Sequence, residues 1–326
     1  MGATVNIPTE WNALQSLWSR NSLNKLAIIV LLSMMAFYFA PPAEPQDTAS
    51  SNQSAPQKQF SPQQQPPPEK AGEEDADKLR KEAQNPVASL ISVPIQENFN
   101  FNIQPNSRVQ NVLNIQPVIP IKLDDNWNLI ARLITPIVYQ PVNVPQASGP
   151  AVQNGYYGLG DMQPGFFVSP ARGKVIWGVG PQFLLPTATN TGILGQGKLG
   201  IGPTAVVLVQ PGQWTLGFLV NNVWSVAGHP ALPSVNSFLL QYFINYNLNK
   251  GWYLTWQPTI TANWEMTNGG RWVVPVGGGI GRIMKLGFQP ANVGLQFYGN
   301  VVHPPGASNW TLRCSVTFLY PKKPKS

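Results

Sequence analysis

Charge is scarce in this chain. Of its 326 residues, 11% are Asp, Glu, Lys or Arg, against about 25% in ordinary soluble domains. That argues against a conventional solvated surface. Cysteine is nearly absent: Cys314 stands alone, so neither an intrachain disulfide nor a cysteine-based metal site can form. Two histidines, His229 and His303, cannot supply a His/Cys ligand set. Beyond residue 40 no run approaches 18 consecutive apolar residues, which excludes a bundle of transmembrane helices. Hydrophobic residues nevertheless make up 43%, too many for a chain disordered throughout. Uncharged polar residues offset them, along with 29 glycines and 33 prolines.

What is present falls into unlike segments. Residues 1–40 read as an export signal: a weakly basic leader precedes LAIIVLLSMMAFYFA, Leu26 to Ala40. That run is short for a membrane span and suits a signal h-region. Tyr38 breaks the small-x-small pattern ahead of a cut after Ala40, so an uncleaved signal anchor is the other reading. Residues 41–84 form a Pro/Gln-rich linker (PPAEPQ, SSNQSAPQKQ, SPQQQPPPEK) without a periodic apolar face, expected to be disordered. A short polar helix is expected over 73–84, stopped before Pro86. Nine of the 14 acidic residues precede residue 90. The rest of the chain keeps only Glu97, Asp124, Asp125, Asp161 and Glu265, which leaves it basic. Residues 323–326 are a basic tail.

From about residue 92 the texture is alternation with period two, the mark of strands with one apolar and one polar face. In Trp252–Glu265 the even positions are Trp, Leu, Trp, Pro, Ile, Ala and Trp. The odd ones are polar except Tyr253. Strands 238–248 and 310–320 repeat the pattern, with Cys314 on the apolar face. Twelve such segments can be drawn: 95–103, 110–122, 126–139, 156–169, 174–186, 198–210, 214–227, 236–248, 252–265, 271–284, 290–302 and 309–320. They are far longer than the soluble mean of about 5–6 residues and match the length of a tilted membrane-spanning strand. The expected fold is therefore all-β: a transmembrane antiparallel up-and-down β-barrel of about twelve strands over residues 85–322.

Aromatic spacing supports this. Trp127 and Tyr139 share a face twelve residues apart, as do Trp252 and Trp264. At that separation a tilted strand covers about 30 Å, the distance between two interfacial girdles. Trp310 opens the last strand as a further girdle residue. Short connections (123–125, around Gly173, 211–213, 249–251) alternate with longer ones (141–155, 187–197, 228–235), as in outer-membrane barrels. The 266–270 and 285–289 connections are similar in length, so the alternation weakens there. The chain closes on Phe318-Leu319-Tyr320, an aromatic ending such barrels often carry. Seven prolines (Pro117, Pro136, Pro164, Pro181, Pro203, Pro258 and Pro275) fall inside strands, where each removes a ladder donor. Gly277-Gly278-Gly279 suggests a bend that shifts strand phase. Arg282 falls on the Trp272 face, so either such a slip or an interfacial position is expected.

The chain resembles a family of bacterial outer-membrane barrels catalogued as transporter-like proteins of the MetA-pathway of phenol degradation, in some genomes mislabelled "neuromedin U". The residues carrying the resemblance include NPVASLISVPIQENFNFNI (85–103), NVLNIQPVIPIKL (111–123), GLGDMQPGFFVSP (158–170), IWGVGPQFLLPTAT (176–189), FLLQYFINYNLNKGWYLTWQPTITANWE (238–265) and VPVGGGIG (274–281). It covers about residues 85–321. It implies an outer-membrane barrel that moves hydrophobic or small organic solutes, and brings no functional residues with it.

No catalytic constellation is found. His229 and His303 sit in proline-flanked loops, and GLGD and GGGIG have no following helix to cradle a phosphate. No cofactor or metal is expected. Candidate lumen-lining residues are Arg132, Asp161, Glu265, Arg313, Asn114, Asn128, Asn245 and Asn263. The amides suit a wet interior without strong ionic selection, and they serve equally as a polar plug in a sealed barrel. The four charged residues form either a basic constriction favouring anions or an internal salt-bridge network. Expected partners are outer-membrane lipids, the barrel-assembly machinery and small solutes. Cell-wall polymer is a further candidate for the basic turns at Arg172, Lys174, Lys250 and Lys285; no nucleic acid is expected. The expected setting is the outer membrane of a Gram-negative-type bacterium, with residues 41–84 in the periplasm. A structural envelope protein tethering through 41–84, and a soluble secreted β-sandwich, are the competing readings.

Overall fold

Long period-two segments become a single antiparallel sheet closed on itself. The computed structural model describes residues 79–87, 90–104, 106–144, 152–267, 270–287 and 289–320. The expected signal, most of the linker and the basic tail lie outside these residues. Of the helix expected over 73–84, a helical turn at 79–83 is described. The strands are β1 (Ile91–Ile103), β2 (Arg108–Ile115), β3 (Val118–Lys122), β4 (Trp127–Val144), β5 (Val152–Leu159), β6 (Gln163–Pro170), β7 (Val175–Leu184), β8 (Lys198–Val209), β9 (Trp214–Gly228), β10 (Asn236–Asn247), β11 (Trp252–Trp256), β12 (Thr259–Asn263), β13 (Trp272–Leu286), β14 (Gln289–Val302) and β15 (Trp310–Tyr320).

Three pairs, β2/β3, β5/β6 and β11/β12, are single staves interrupted midway, so the fifteen strands make twelve staves. Each stave pairs with its sequence neighbours. Ladder β1–β15, from Ile91 opposite Tyr320 to Phe101 opposite Trp310, closes the ring. A closed ring leaves no edge whose N–H and C=O groups would face hydrocarbon unpaired. Strand lengths of 18 residues for β4 and 15 for β9 and β13 are those of membrane-spanning staves.

The connections sort cleanly by end. At one end, the turn end, they are 123–126, 171–174, 210–213, 248–251 and 287–288. At the other, the loop end, they are 104–107, 145–151, 185–197, 229–235, 264–271 and 303–309. The weakening read from the sequence near the C-terminus is thus corrected, because β13 and β14 run on to a two-residue turn. Local chemistry makes the tight turns. At 123–126 Asp124 Oδ1 accepts from the N–H groups of Asn126 and Trp127 at 2.7 and 2.8 Å. The adjacent Lys122 ammonium, 2.5 Å away, holds the exposed Asp125 carboxyl below its usual range. Near the loop end, β1 carries a bulge at Asn102, whose φ of 65° is tolerated by asparagine.

The seven prolines singled out in the sequence fall where the ladder lapses. Pro117 and Pro258 occupy the β2/β3 and β11/β12 breaks. Pro164 begins β6 just after the β5/β6 break. Pro136 stands across from it, where β4 changes partner, and its carbonyl accepts from Gly160 N at 2.9 Å. Pro275 faces the β11/β12 break and adjoins a register shift against β14. Pro181 and Pro203 oppose each other, and each backs onto a gap on its other side. One gap lies between the Gly165–Gln182 and Val168–Val179 pairs, the other between Ile201–Trp224 and Thr204–Asn221. A missing N–H costs little where no carbonyl waits for it. The glycine triplet does not shift phase: Gly277, Gly278 and Gly279 pair in sequence with Tyr298, Phe297 and Gln296.

Exposed apolar side chains, among them Ile201, Phe218, Val276, Ile280, Leu295 and Phe297, cover the outside. Aromatic groups band both ends. Trp127 meets Trp177 edge-on at the turn end, and Arg282 lies over Trp252 at 5.0 Å. Arg282 therefore occupies an interfacial position with no slip. At the loop end Phe238, Trp264 and Trp272 form one cluster, and Trp310 stacks on Phe101 at 3.7 Å between centroids. Trp264 Nε1 donates to Asn222 Oδ1, and Tyr139 OH accepts from Arg108 Nη2. An exception is Glu97, paired across the ladder with Cys314 and hydrogen-bonded by Asn111. The fold is that of a transmembrane barrel.

Ala205 sits mid-stave on β8 between Val179 and Val220. Ala205→Arg is expected to cost roughly 2–4 kcal/mol in lipid vesicles. Equilibrium unfolding that shows no loss would overturn the lipid-facing assignment of this surface.

Candidate functional site

The lumen is built from the positions opposite the apolar exterior, and its two sides differ. On the side formed by β10 to β15 and β1 it is polar. Arg313 projects inward from β15. Its Nε donates to Asn98 Oδ1 at 2.9 Å, its Nη1 to the Gln257 carbonyl at 3.1 Å, and its guanidinium lies 5.0 Å over the Tyr298 ring. Gln257 sits in the β11/β12 break, where its carbonyl has left the ladder. Its Nε2 donates to Asn245 Oδ1 at 3.0 Å, and its N–H to Tyr298 OH. Tyr298 OH donates in turn to Gln296 Oε1, and Tyr253 OH to Asn292 Oδ1 at 2.7 Å. Gly281 makes room for the Tyr253 ring; a Cβ there would stand 2.2 Å from Tyr253 Cζ. Asn245 Nδ2 and Thr255 Oγ1 are buried without a partner among the described residues. They are polar groups left over for water or solute.

The opposite side is apolar. Ile130, Phe167, Val206, Leu208, Leu219 and Phe243 turn inward from β4, β6, β8, β9 and β10 and pack as one buried cluster. The interior is therefore not polar throughout, as the inward-facing amides and charges suggested. Amides line one wall and hydrocarbon the other. The sequence signal existed. Even positions of 126–139 mix Asn128 and Arg132 with Ile130, Ile134 and Val138, and TAVVLV at 204–209 is apolar on both faces, as a stave needs when packed on both sides.

Both ends are narrowed. At the loop end, connection 185–197 folds onto the inner side of the β5/β6 break. A Cβ on Gly158 would strike Thr189 Oγ1, and one on Gly160 the Leu194 carbonyl. Asp161 staples this loop. Its Oδ1 accepts from Ala188 N at 3.1 Å and its Oδ2 from Gln196 N at 2.5 Å. Thr187 Oγ1 accepts from Met162 N at 2.9 Å beside it. At the turn end, residues 79–87 and 90 lie within the mouth, with Val87 in the apolar cluster.

The expected residues have different placements. Arg132 donates from Nη2 to Gln116 Oε1 at 2.7 Å, at the β2/β3 break. Asn114 opposes Pro136 on the same side of the sheet as Arg132, and Asn128 lies near the turn end opposite Lys122. Asn245 is wholly buried. Asn263 is at the loop-end rim, its Oδ1 accepting from Glu265 N, and Glu265 is exposed beyond β12. Asp161 is spent on its loop. The four charged residues thus form no salt-bridge network: neither lumen arginine has a carboxylate partner among the described residues. The roles of Gln257 and Tyr298, and the apolar wall, escaped the sequence reading. His229 Nδ1 accepts from Ala231 N, and His303 Nδ1 lies 3.0 Å from the Pro304 carbonyl; both are local loop contacts.

No family model matches the sequence, and no curated protein matches it. Solved structures resemble its fold. An outer-membrane channel from Pseudomonas putida F1 superposes with a TM-score of 0.53 at 12% identity, covering 71% of this chain and 96% of that one. The NanC porin gives 0.44 at 10% identity, covering 71% and 100%. The P. putida toluene transporter TodX gives 0.40 at 9%, covering 72% and 90%. The first of these establishes the barrel fold and nothing finer; the other two add no argument.

Asp161→Ala is expected to leave the barrel intact and release the loop, since two backbone N–H groups lose a charged acceptor. Amide exchange at Ala188 and Gln196 should rise by about tenfold or more. Unchanged protection would sink the staple.

Proposed function

We propose that this chain is a passive outer-membrane channel for small or hydrophobic organic solutes, allied to the transporter-like barrels its sequence resembles. The observation that carries the reading is the two-walled lumen. An apolar wall at Ile130, Phe167 and Phe243 faces a polar wall at Asn98, Gln257 and Arg313. A solute with a hydrocarbon body and a polar or anionic end finds a partner for each part. Arg132 and Arg313, without carboxylates, tilt the passage towards anions. The likeness to an outer-membrane channel supports a Gram-negative-type outer membrane as the setting, and residues 41–84 are proposed to lie on its periplasmic side. Outer-membrane lipids, the barrel-assembly machinery and cell-wall polymer at the basic turns are its proposed partners.

The filled turn-end mouth favours a second reading, a non-conducting envelope protein anchored by the barrel and tethering through residues 41–84. Conductance separates them. In planar bilayers under a KCl gradient the channel reading expects current with a reversal potential favouring Cl⁻. Arg132→Gln with Arg313→Gln should lower the Cl⁻/K⁺ permeability ratio by about fivefold. Silence from correctly folded protein supports the tether instead.

A further inference from the structure

We propose that residues 79–87, with Leu90, are a removable plug, and that solute and plug compete for the apolar wall of the lumen. The proposal rests on the channel reading above and supplies its regulation. The segment crosses the turn-end mouth. Helical turn 79–83 lies against the β8–β11 side, where Arg80 Nη1 donates to the Leu248 carbonyl at 2.6 Å and Gln210 Nε2 to the Lys81 carbonyl at 2.8 Å. Gln84 is the polar anchor. Its Oε1 accepts from Thr215 Oγ1 at 2.8 Å and its Nε2 donates to Asn247 Oδ1 at 2.9 Å, all three side chains being buried. Asn85 then turns the chain, its Oδ1 accepting from Val87 N at 3.0 Å. Val87 enters the cluster of Ile130, Phe167 and Phe243, and Leu90 packs between Ile283 and Leu319 on the far side of the mouth.

Two features make this segment detachable where the staves are not. It joins no ladder, because strand pairing begins at Ile91. Its backbone hydrogen bonds close mostly on itself, from Gln84 N to the Arg80 carbonyl and from Asn85 N to the Glu82 carbonyl. Withdrawal therefore breaks side-chain anchors and leaves the sheet whole. A hydrogen bond is worth about fivefold in such an equilibrium, and burying one valine about tenfold. The seat of Val87 is also the surface that the hydrocarbon part of a solute requires, so occupancy by one excludes the other. A small apolar or amphipathic solute is thereby the ligand that shifts the plug outward.

The test uses full-length protein in planar bilayers. Gln84→Ala is expected to raise the open fraction about tenfold over wild type, and Val87→Asp, which places a charge against the apolar wall, to raise it at least as far. Gln84→Cys with Asn247→Cys in a Cys314→Ser background, bridged by a short reducible cross-linker, should conduct less than wild type and recover on reduction. Heat-modifiable mobility confirms that each variant has folded. If wild type, loosened and bridged forms conduct alike, the plug is refuted and the channel stands. If all are silent although folded, the channel reading falls and the plug with it.

Discussion

In hydrocarbon there is no water to take up an unpaired N–H or C=O, so every backbone polar group of a spanning segment must find its partner within the protein. That constraint explains the closing ladder from Ile91–Tyr320 to Phe101–Trp310, and it explains why prolines such as Pro117, Pro181 and Pro258 fall at lapses of the ladder. It also explains what the three interrupted staves are for. Each break holds a polar residue with a task in the lumen. Gln116 accepts from Arg132, Asp161 holds the 185–197 loop, and Gln257 offers its carbonyl to Arg313. The backbone groups freed at the breaks are taken up nearby, as when Leu133 N donates to the Pro117 carbonyl and Gln116 N to the Pro94 carbonyl. Ladder lapses are thus where the barrel wall gives up regularity to furnish its interior.

The staves were legible because their signal is local. Trp252–Glu265 alternates so strictly that its outward face could be assigned position by position, and the structure keeps that phase across the Gln257-Pro258 break. Boundaries were close for the same reason. What alternation could not give was cross-lumen pairing. Arg313 and Gln257 lie on staves that are not neighbours, and nothing in either stretch announces the other. The sequence places Asp161 in a charged constriction or a salt-bridge network and not on a loop, because its donors, Ala188 and Gln196, belong to a loop whose path depends on small residues at Gly158 and Gly160. Gln84, Val87 and Leu90 were hidden more deeply. They follow a low-complexity stretch, and their burial comes entirely from surfaces far along the chain.

The two-walled lumen changes how the interior is to be understood. A uniformly polar interior would favour ions and sugars; a uniformly apolar one would collapse or stay dry. Here Phe167 and Leu208 face across to Tyr298 and Asn245, and each is among the most buried side chains of the molecule. The arginines sit at neutral hydrogen-bond partners, which fixes their heads without cancelling their charge. Orientation and retained charge thus come from one arrangement.

The seating of residues 79–87 and Leu90 has a mechanical side as well. Gln84 is tied to β9 and β10, Val87 to the apolar cluster that includes Ile130 and Phe167, and Leu90 to the cluster of Ile283 and Leu319. A hollow cylinder resists bending well but flattens easily, since squeezing it into an oval stretches nothing. A strut spanning the bore removes that soft mode. Seated there, it would stiffen this end of the cylinder against lateral pressure from a crowded bilayer.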